Sequence, residues 1–131
     1  MTLASRALLD THTFLWFATN DSSLSEAARA CISDPAVEKL VSAASVWELA
    51  IKVSIGKLEL ERPFDDLIRG IESNGFALLP ILPAHASRLI TLPHIHRDPF
   101  DRLLVAQALA EGCVVVSRDE ALDAYGTSRL W

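Results

Sequence analysis

Residues 97–119 read RDPFDRLLVAQALAEGCVVVSRD and contain the clearest fold signal in the chain. A helix is predicted over Pro99–Glu111, because proline suits a first helical position and a glycine follows the last residue. Gln107 is the only polar residue between the charged residues near its two ends, so this helix should be deeply buried. The apolar run Cys113–Ser117 follows at once and predicts a buried strand. A helix that leads directly into a buried strand is typical of an α/β fold.

The same alternation continues outward from this stretch. Further short apolar runs predict strands at Arg6–Leu9, Lys39–Ala43, Phe76–Leu82 and, more weakly, Ser128–Trp131. Helical patterns lie between them at Ser25–Ser33, Val46–Lys57, Pro63–Asn74 and Pro83–Leu92, with a short helical stretch after Asp10. The strand candidates are continuous apolar runs, which indicates a parallel sheet covered on both faces. We therefore predict an α/β sandwich with right-handed crossovers.

Size and composition favour one soluble domain. The chain has 131 residues, is 50% hydrophobic and carries a formal charge of −5. We expect a single domain over residues 1–131 and no membrane span, since no charge-free stretch approaches the required length. The opening residues do not resemble a signal peptide. The two cysteines are far apart and have no metal-ligand spacing, which favours a reducing compartment and a cytoplasmic location.

The acidic residues of interest lie either after a predicted strand or near the start of a predicted helix. Asp10 directly follows the first strand, Glu48 lies early in the helix after the second, and Asp119 follows the fourth. Asp98 and Asp101 stand at the start of the long helix before the fourth strand. The carboxyl ends of parallel strands meet at one edge, where ligands bind in such sheets. We expect Asp10, Glu48 and Asp119 to meet there, joined by Asp101 if its helix begins at the same edge.

Such a cluster predicts a metal site. Two carboxylates about 4 Å apart repel by roughly 4 kcal/mol at an effective dielectric constant near 20. A cluster of several must therefore take up protons or cations. Hard divalent cations such as Mg²⁺ or Mn²⁺ prefer oxygen ligands. Because such ions activate water for in-line attack on phosphodiesters, the sequence points to metal-dependent phosphodiester hydrolysis.

Each acid also has a purely structural interpretation. Ser45 and Glu48 have the spacing of a capping box, and Glu48 can pair with Lys52 four residues on. Asp98 before a proline is a natural N-cap, and residues 117–120 form another capping-box pattern. The functional interpretation depends on the acids converging at one edge, and both interpretations remain open at this point.

Basic and histidine side chains near the acids have two possible roles. Arg97, Arg102 and Arg118 could bind the phosphates of a polynucleotide, or they could neutralise neighbouring acids. His94 and His96 could contact substrate close to the start of the long helix, or they could be loop residues without such a role.

Four segments together resemble the PIN-domain family, and within it the VapC-type ribonuclease toxins of type II toxin–antitoxin systems. These segments are LLDT at 8–11, SVWELAIK at 45–52, RDPFDRLLVAQA at 97–108 and VVSRD at 115–119. The resemblance spans nearly the whole chain, and its second and third segments are the specific ones.

The resemblance implies a three-layer α/β/α sandwich and an Mg²⁺- or Mn²⁺-dependent ribonuclease. It places the catalytic and metal-binding carboxylates at Asp10, Glu48, Asp101 and Asp119. It also implies a homodimer, and an antitoxin whose C-terminal segment covers the active-site groove. Ser117 stands where the family often has threonine, so its hydroxyl could assist the site. Asp98 is an additional acid. We expect it to act mainly as an N-cap and secondarily as a group next to the site.

The resulting hypothesis is a cytoplasmic endoribonuclease that acts on RNA and is inhibited by a cognate antitoxin. Two alternatives remain. The first is a related nuclease that processes RNA or DNA, because no residue identifies recognition of the 2′-hydroxyl. The second is a non-catalytic protein-binding module in which the acids serve only as helix caps.

Overall fold

A five-stranded parallel sheet forms the centre of the molecule. The structure is a computed structural model, and it describes residues 5–95 and 97–131. The strands are β1 (Arg6–Leu9), β2 (Glu38–Ser42), β3 (Ala77–Leu79), β4 (Val114–Val116) and β5 (Arg129–Leu130). They lie in the order β3-β2-β1-β4-β5, with every neighbouring pair parallel. The parallel α/β architecture predicted from the sequence is confirmed, including the weak fifth strand.

Helices connect the strands and cover the sheet. They are α1 (Thr11–Ala18), α2 (Glu26–Ser33), α3 (Ala43–Ser54), α4 (Phe64–Ser73), α5 (Pro83–Ile90) and α6 (Pro99–Glu111). A 3-10 helix at Glu120–Tyr125 lies between β4 and β5. The bounds of α6 are those predicted, since proline begins the helix and Gly112 ends it in the left-handed conformation. Within the described part of the chain, no helix has the length and apolar character to cross a membrane.

Alternate strand residues pack into two separate cores. Leu9 and Val41 lie in a core on one face of the sheet, together with side chains of α1, α2 and α4. Their chain neighbours Leu8 and Leu40 lie in the core on the other face, with α6. Because successive strand residues point to opposite faces, a strand covered on both sides must be apolar throughout. This requirement explains the continuous apolar runs in the sequence and gives the three-layer arrangement.

Several details differ from the sequence prediction. Helix α3 begins at Ala43, five residues before Glu48, and its N-cap is Ser42, whose hydroxyl accepts from the Ala44 N–H. The capping box predicted at Ser45 is therefore wrong, and that serine is fully buried inside the helix. Strand β3 is shorter than predicted, because residues after Leu79 leave the sheet before α5. Residues 117–120 also form no capping box, because the N-cap of the 3-10 helix is Asp119 and not Ser117.

A polar network lies at the amino-terminal edge of the sheet, opposite the strand ends that carry the acids. Arg6 at the start of β1 donates to Glu38 at the start of β2 and to the backbone oxygen of Glu111 at the end of α6. The fully buried ring of His85 contacts the Glu111 carboxylate through Nε2 at 2.9 Å. The Nδ1 atom of His85 accepts the Leu82 N–H at 3.0 Å, so Nε2 carries the proton that Glu111 accepts. This network joins two strands and two helices far from the acidic edge.

Candidate active site

A cleft of about 450 Å³ opens at the carboxyl-terminal edge of the sheet. Carboxylates from four separate parts of the chain line it: Asp10, Glu48, Asp98, Asp101 and Asp119. The structure therefore brings together the side chains that the sequence placed at this edge. Thr11, His12, Trp16, Lys52 and Arg118 complete the lining.

Asp10 lies where β1 passes into α1. Its backbone N–H donates to the carbonyl of Val116, the last residue of the adjacent strand β4, at 3.1 Å. Its carboxylate Oδ1 accepts the Thr13 N–H at 2.7 Å and so caps α1. One carboxylate oxygen is thereby fixed by the helix start, and the residue is held between the two central strands.

Glu48 is the most enclosed of the acids, with 6% of its surface exposed. It lies on α3, which follows β2. Its Oε1 accepts the hydroxyl of Thr11 at 2.7 Å, and its Oε2 pairs with the ammonium of Lys52 at 2.8 Å. The i,i+4 ion pair expected from the sequence is thus confirmed. A buried carboxylate needs such partners, because burial without them is costly.

The start of α6 supplies two further acids. Asp98 caps the helix, with its Oδ1 accepting the Phe100 N–H at 2.9 Å, as the sequence indicated. Asp101 follows in the first turn and also lines the cleft. A helix that precedes a parallel strand runs opposite to it, so α6 begins at the edge where β4 ends. The condition attached to Asp101 in the sequence prediction is therefore met.

Asp119 lies on the exposed loop that follows β4. Its Oδ1 accepts the Ala121 N–H at 3.0 Å and caps the 3-10 helix. Ser117 is fully buried and does not line the cleft, and its hydroxyl accepts the Asp119 N–H at 3.0 Å. Ser117 thus orders the loop that carries the acid. Arg118, between them, lines the cleft with its exposed side chain.

The other basic candidates lie outside the lining of the cleft. Arg97 is exposed, and the guanidinium of Arg102 donates to the Pro93 carbonyl at 2.7 Å. His94 is also exposed and outside the lining, while His96 lies outside the described residues.

Sequence reasoning did not assign four lining residues to the site: Thr11, His12, Trp16 and Lys52. The rings of His12 and Trp16 stack at a tilt, with their centroids 5.7 Å apart. Residue spacing could have assigned all four to the cleft. Three of them follow Asp10 within two helical turns, and Lys52 lies one turn beyond Glu48. Side chains on one helix face share the surroundings of their neighbours.

The charge and the donor atoms of the cleft suit a hard cation. Five carboxylates face two basic side chains, which leaves an excess of three negative charges when His12 is neutral. The acidic ligands offer oxygen atoms, as Mg²⁺ and Mn²⁺ prefer. Within residues 5–95 and 97–131, however, no group of three or more Asp, Glu, His or Cys side chains has an arrangement that could hold a metal ion. The acids share a cleft, but three of them cap helices and Glu48 pairs with Lys52.

Comparison with known proteins gives the class of this protein. The family model of the PIN domain matches residues 7–127, and the chain belongs to the PIN-domain family. It is similar to the ribonuclease VapC22 of Mycobacterium tuberculosis (strain ATCC 25618 / H37Rv). The two are 30% identical over 119 residues, which cover 90% of each chain.

Solved structures share the fold at lower identity. The VapBC2 complex of Rickettsia felis, bound to a DNA fragment from its promoter, contains a chain with a TM-score of 0.71 and 11% identity. That match covers 95% of this chain and 96% of the other. A chain of FitAcB from Neisseria gonorrhoeae matches with a TM-score of 0.64 and 19% identity, over 94% and 95% of the two chains. These likenesses confirm the three-layer fold.

Proposed function

We propose that this chain is a metal-dependent endoribonuclease that hydrolyses RNA phosphodiester bonds, and that it is the toxin of a type II toxin–antitoxin pair. The observation that carries the proposal is the convergence of acids from four parts of the chain on one cleft. Membership of the PIN-domain family and the similarity to a ribonuclease support it. The acids lie at the strand ends, where open α/β sheets bind their ligands.

Asp10, Glu48, Asp101 and Asp119 are the residues that would hold Mg²⁺ or Mn²⁺, because all four line the cleft. Among the described residues they do not already form a metal-binding group, so binding would have to draw their carboxylates together. Such an ion, when bound, lowers the pKa of a water molecule and neutralises negative charge on the phosphodiester. The excess negative charge of the cleft favours this binding, because a bound cation offsets the repulsion among the carboxylates. Asp98 belongs to the same surface and primarily caps α6.

The remaining side chains would position the substrate and the acids. Arg118 lies at the cleft and would bind an RNA phosphate, because guanidinium groups match phosphate oxygens in geometry and charge. Ser117 contributes indirectly, through the backbone of Asp119. Arg97 and Arg102 would bind phosphates further along the RNA, outside the cleft itself.

A protein partner is part of the proposal. The solved relatives include toxin–antitoxin complexes, which supports a cognate antitoxin for this chain. We also propose a homodimer and a cytoplasmic location. Trp47 and Ile51 on α3 and its C-cap residue Ile55 are exposed and spaced four residues apart, so they form an apolar stripe suited to a protein contact.

The substitution Asp10→Asn tests the nuclease. Asparagine caps a helix as well as aspartate does, so α1 should persist and the thermal unfolding temperature should change little. The carboxylate charge is lost, and cleavage of a panel of structured RNAs in Mg²⁺ or Mn²⁺ should be abolished. Full cleavage by this variant, or by the unaltered protein in excess EDTA, would contradict the mechanism. Growth arrest on expression, relieved by co-expression of the antitoxin, distinguishes a toxin from an RNA- or DNA-processing nuclease.

A non-catalytic protein-binding module is the second candidate, favoured by the capping roles of Asp10, Asp98 and Asp119 and by the Glu48–Lys52 pair. Calorimetric titration with Mn²⁺ separates the two candidates. Saturable binding with thermal stabilisation supports the nuclease, and the absence of both supports the module.

A further inference from the structure

The two oxygens of the Glu48 carboxylate have different kinds of partner. Oε1 accepts a neutral hydroxyl from Thr11, and Oε2 contacts the cationic ammonium of Lys52. Both partners line the same cleft as the carboxylate. One carboxylate oxygen therefore accepts a hydrogen bond from an uncharged donor, and the other is paired with a positive charge.

A second hydroxyl, that of Ser45, extends the hydrogen bond between Thr11 and Glu48 into a chain. The oxygens of Thr11 and Ser45 are 2.9 Å apart, and both residues are buried, with 4% and 0% of their surfaces exposed. An ionised carboxylate cannot donate, so Thr11 gives its only hydroxyl proton to Glu48. Ser45 then donates to the Thr11 oxygen. The resulting chain from Ser45 through Thr11 to Glu48 runs in one direction and leaves Oε1 occupied.

The ammonium of Lys52 occupies the place at Oε2 where another cation would bind. Its side chain is 34% exposed, whereas that of Glu48 is 8% exposed, so the pair lies at the border between the interior and the cleft. The Lys52 side chain is partly open to solvent, so its ammonium can leave Oε2 when another cation takes its place. Without a replacement the buried carboxylate would lose its counter-ion, which is costly. The buried hydroxyl of Thr11 has no such route to solvent.

We propose that Thr11 is a positioning residue that reserves Oε2 of Glu48 for a cation, and that Lys52 is an internal cation that a divalent metal ion displaces. The proposal rests on the proposed function, in which Glu48 is a metal ligand. Glu48 would then bind the ion through one oxygen, with its second oxygen held by the protein. Partners of this kind orient metal ligands and commonly account for about 10- to 100-fold in metal affinity.

Substitutions at Thr11 test the positioning role, with Mn²⁺ affinity measured by calorimetry. Thr11→Val keeps the shape and removes the hydroxyl, and it should weaken Mn²⁺ binding about 10-fold or more. Thr11→Ser keeps the hydroxyl and should restore most of the affinity. Thr13→Val is the matched control, because Thr13 is fully buried and its hydroxyl donates to the Val116 carbonyl at 2.8 Å instead. This control should lose stability but keep its Mn²⁺ affinity.

The substitution Lys52→Met tests the displacement and should act in the opposite direction. Methionine keeps the unbranched stem and removes the competing charge. Mn²⁺ should bind at least roughly twofold to fivefold more tightly, which is the strength of a solvent-exposed ion pair and a lower bound for a pair whose carboxylate is buried. The metal-free protein should unfold at a lower temperature, because Oε2 then lacks its counter-ion.

The outcomes separate this inference from the proposed function. If the unaltered protein binds no Mn²⁺, the metal-dependent function and the inference both fail. If it binds Mn²⁺ and the valine variants at 11 and 13 bind equally well, only the positioning role fails. Unchanged or weaker binding by Lys52→Met overturns the displacement. A metal-free double-mutant cycle should also give a non-additive change in stability for positions 11 and 52, since both act on one carboxylate.

Discussion

Replacement of Glu111 by glutamine should remove a pH-dependent part of the folding stability. Glu111 is the last residue of α6, and its Oε2 accepts from the buried ring of His85 at 2.9 Å. Arg6 adds a longer contact to Oε1 at 3.5 Å. The hydrogen bond from His85, and secondarily Arg6, lowers the pKa of Glu111 below its ordinary value of 4.5. The charged form of Glu111 therefore stabilises the folded state.

The expected magnitude follows from the bonds that change. A hydrogen bond to a charged group contributes about 1.5–3 kcal/mol, and one between neutral groups about 0.5–1.5 kcal/mol. The amide oxygen of glutamine can still accept from His85, so Glu111→Gln should cost about 1 kcal/mol at neutral pH. Because the folded-state pKa is lowered, this stability is complete above the unfolded-state pKa and is lost as the pH falls through the folded-state value. The difference between the two proteins should therefore shrink below pH 4.5.

Urea unfolding at about pH 7 and about pH 4 measures this difference. Glu72→Gln is the matched control, because Glu72 lies exposed on α4 and should show little change at either pH. RNA cleavage by the Glu111 variant should persist, since the network lies at the opposite edge of the sheet from the acidic cleft. A loss of stability that is equal at both pH values would refute the assignment of the charge to the bond with His85.

Three further substitutions or treatments test other parts of the fold. Gly112→Ala should cost about 1–2 kcal/mol in urea unfolding, because Gly112 has a φ of 68° although no atom within 4 Å obstructs a Cβ. Ser42→Ala should cost about 1–3 kcal/mol by the same assay, since it removes the cap of α3 and the 2.6 Å hydrogen bond to buried Gln107. Cys113 should react with a thiol reagent only after unfolding, because burial raises the pKa of its thiol, and labelling of the native protein would contradict this.

The sequence predicted the layers well because the apolar runs have a simple physical cause. The strand at Arg6–Leu9 and the helix at Pro99–Glu111 have the bounds that were predicted, each set by the neighbouring polar, proline or glycine residues. The start of α3 was misplaced, because Ser42 and Ser45 both suit an N-cap and local pattern does not distinguish them. Tertiary contacts decided the choice, since Ser45 is fully buried and hydrogen-bonded to Thr11.

The sequence indicated which acids would share one edge and that Glu48 could pair with Lys52, but it did not indicate contacts between distant parts of the chain. Parallel topology brings strand ends together, so Asp10, Asp119 and the helix starts could be assigned to one edge from the sequence. The pairing of Thr11 with Glu48 joins residues 37 positions apart, and no local pattern indicates it. The resemblance implies that the hydroxyl of Ser117 could assist the site, and in the structure this hydroxyl accepts the backbone N–H of Asp119, a contact that depends on side-chain direction.

Helix capping accounts for the positions of the acids at the carboxyl-terminal edge, but it does not account for their charge. Serine and asparagine cap helices as well as aspartate does, and at this same edge Ser42 caps α3 with a neutral hydroxyl. Asp10, Asp98 and Asp119 nevertheless cap with carboxylates that face one cleft. Interaction with a helix dipole stabilises each negative charge by about 0.3–1 kcal/mol, whereas every pair of close carboxylates adds a repulsion of comparable or greater size. A fold that needed only caps would gain by replacing some of these acids, so the concentration of negative charge at this edge supports the proposal that the cleft binds a cation.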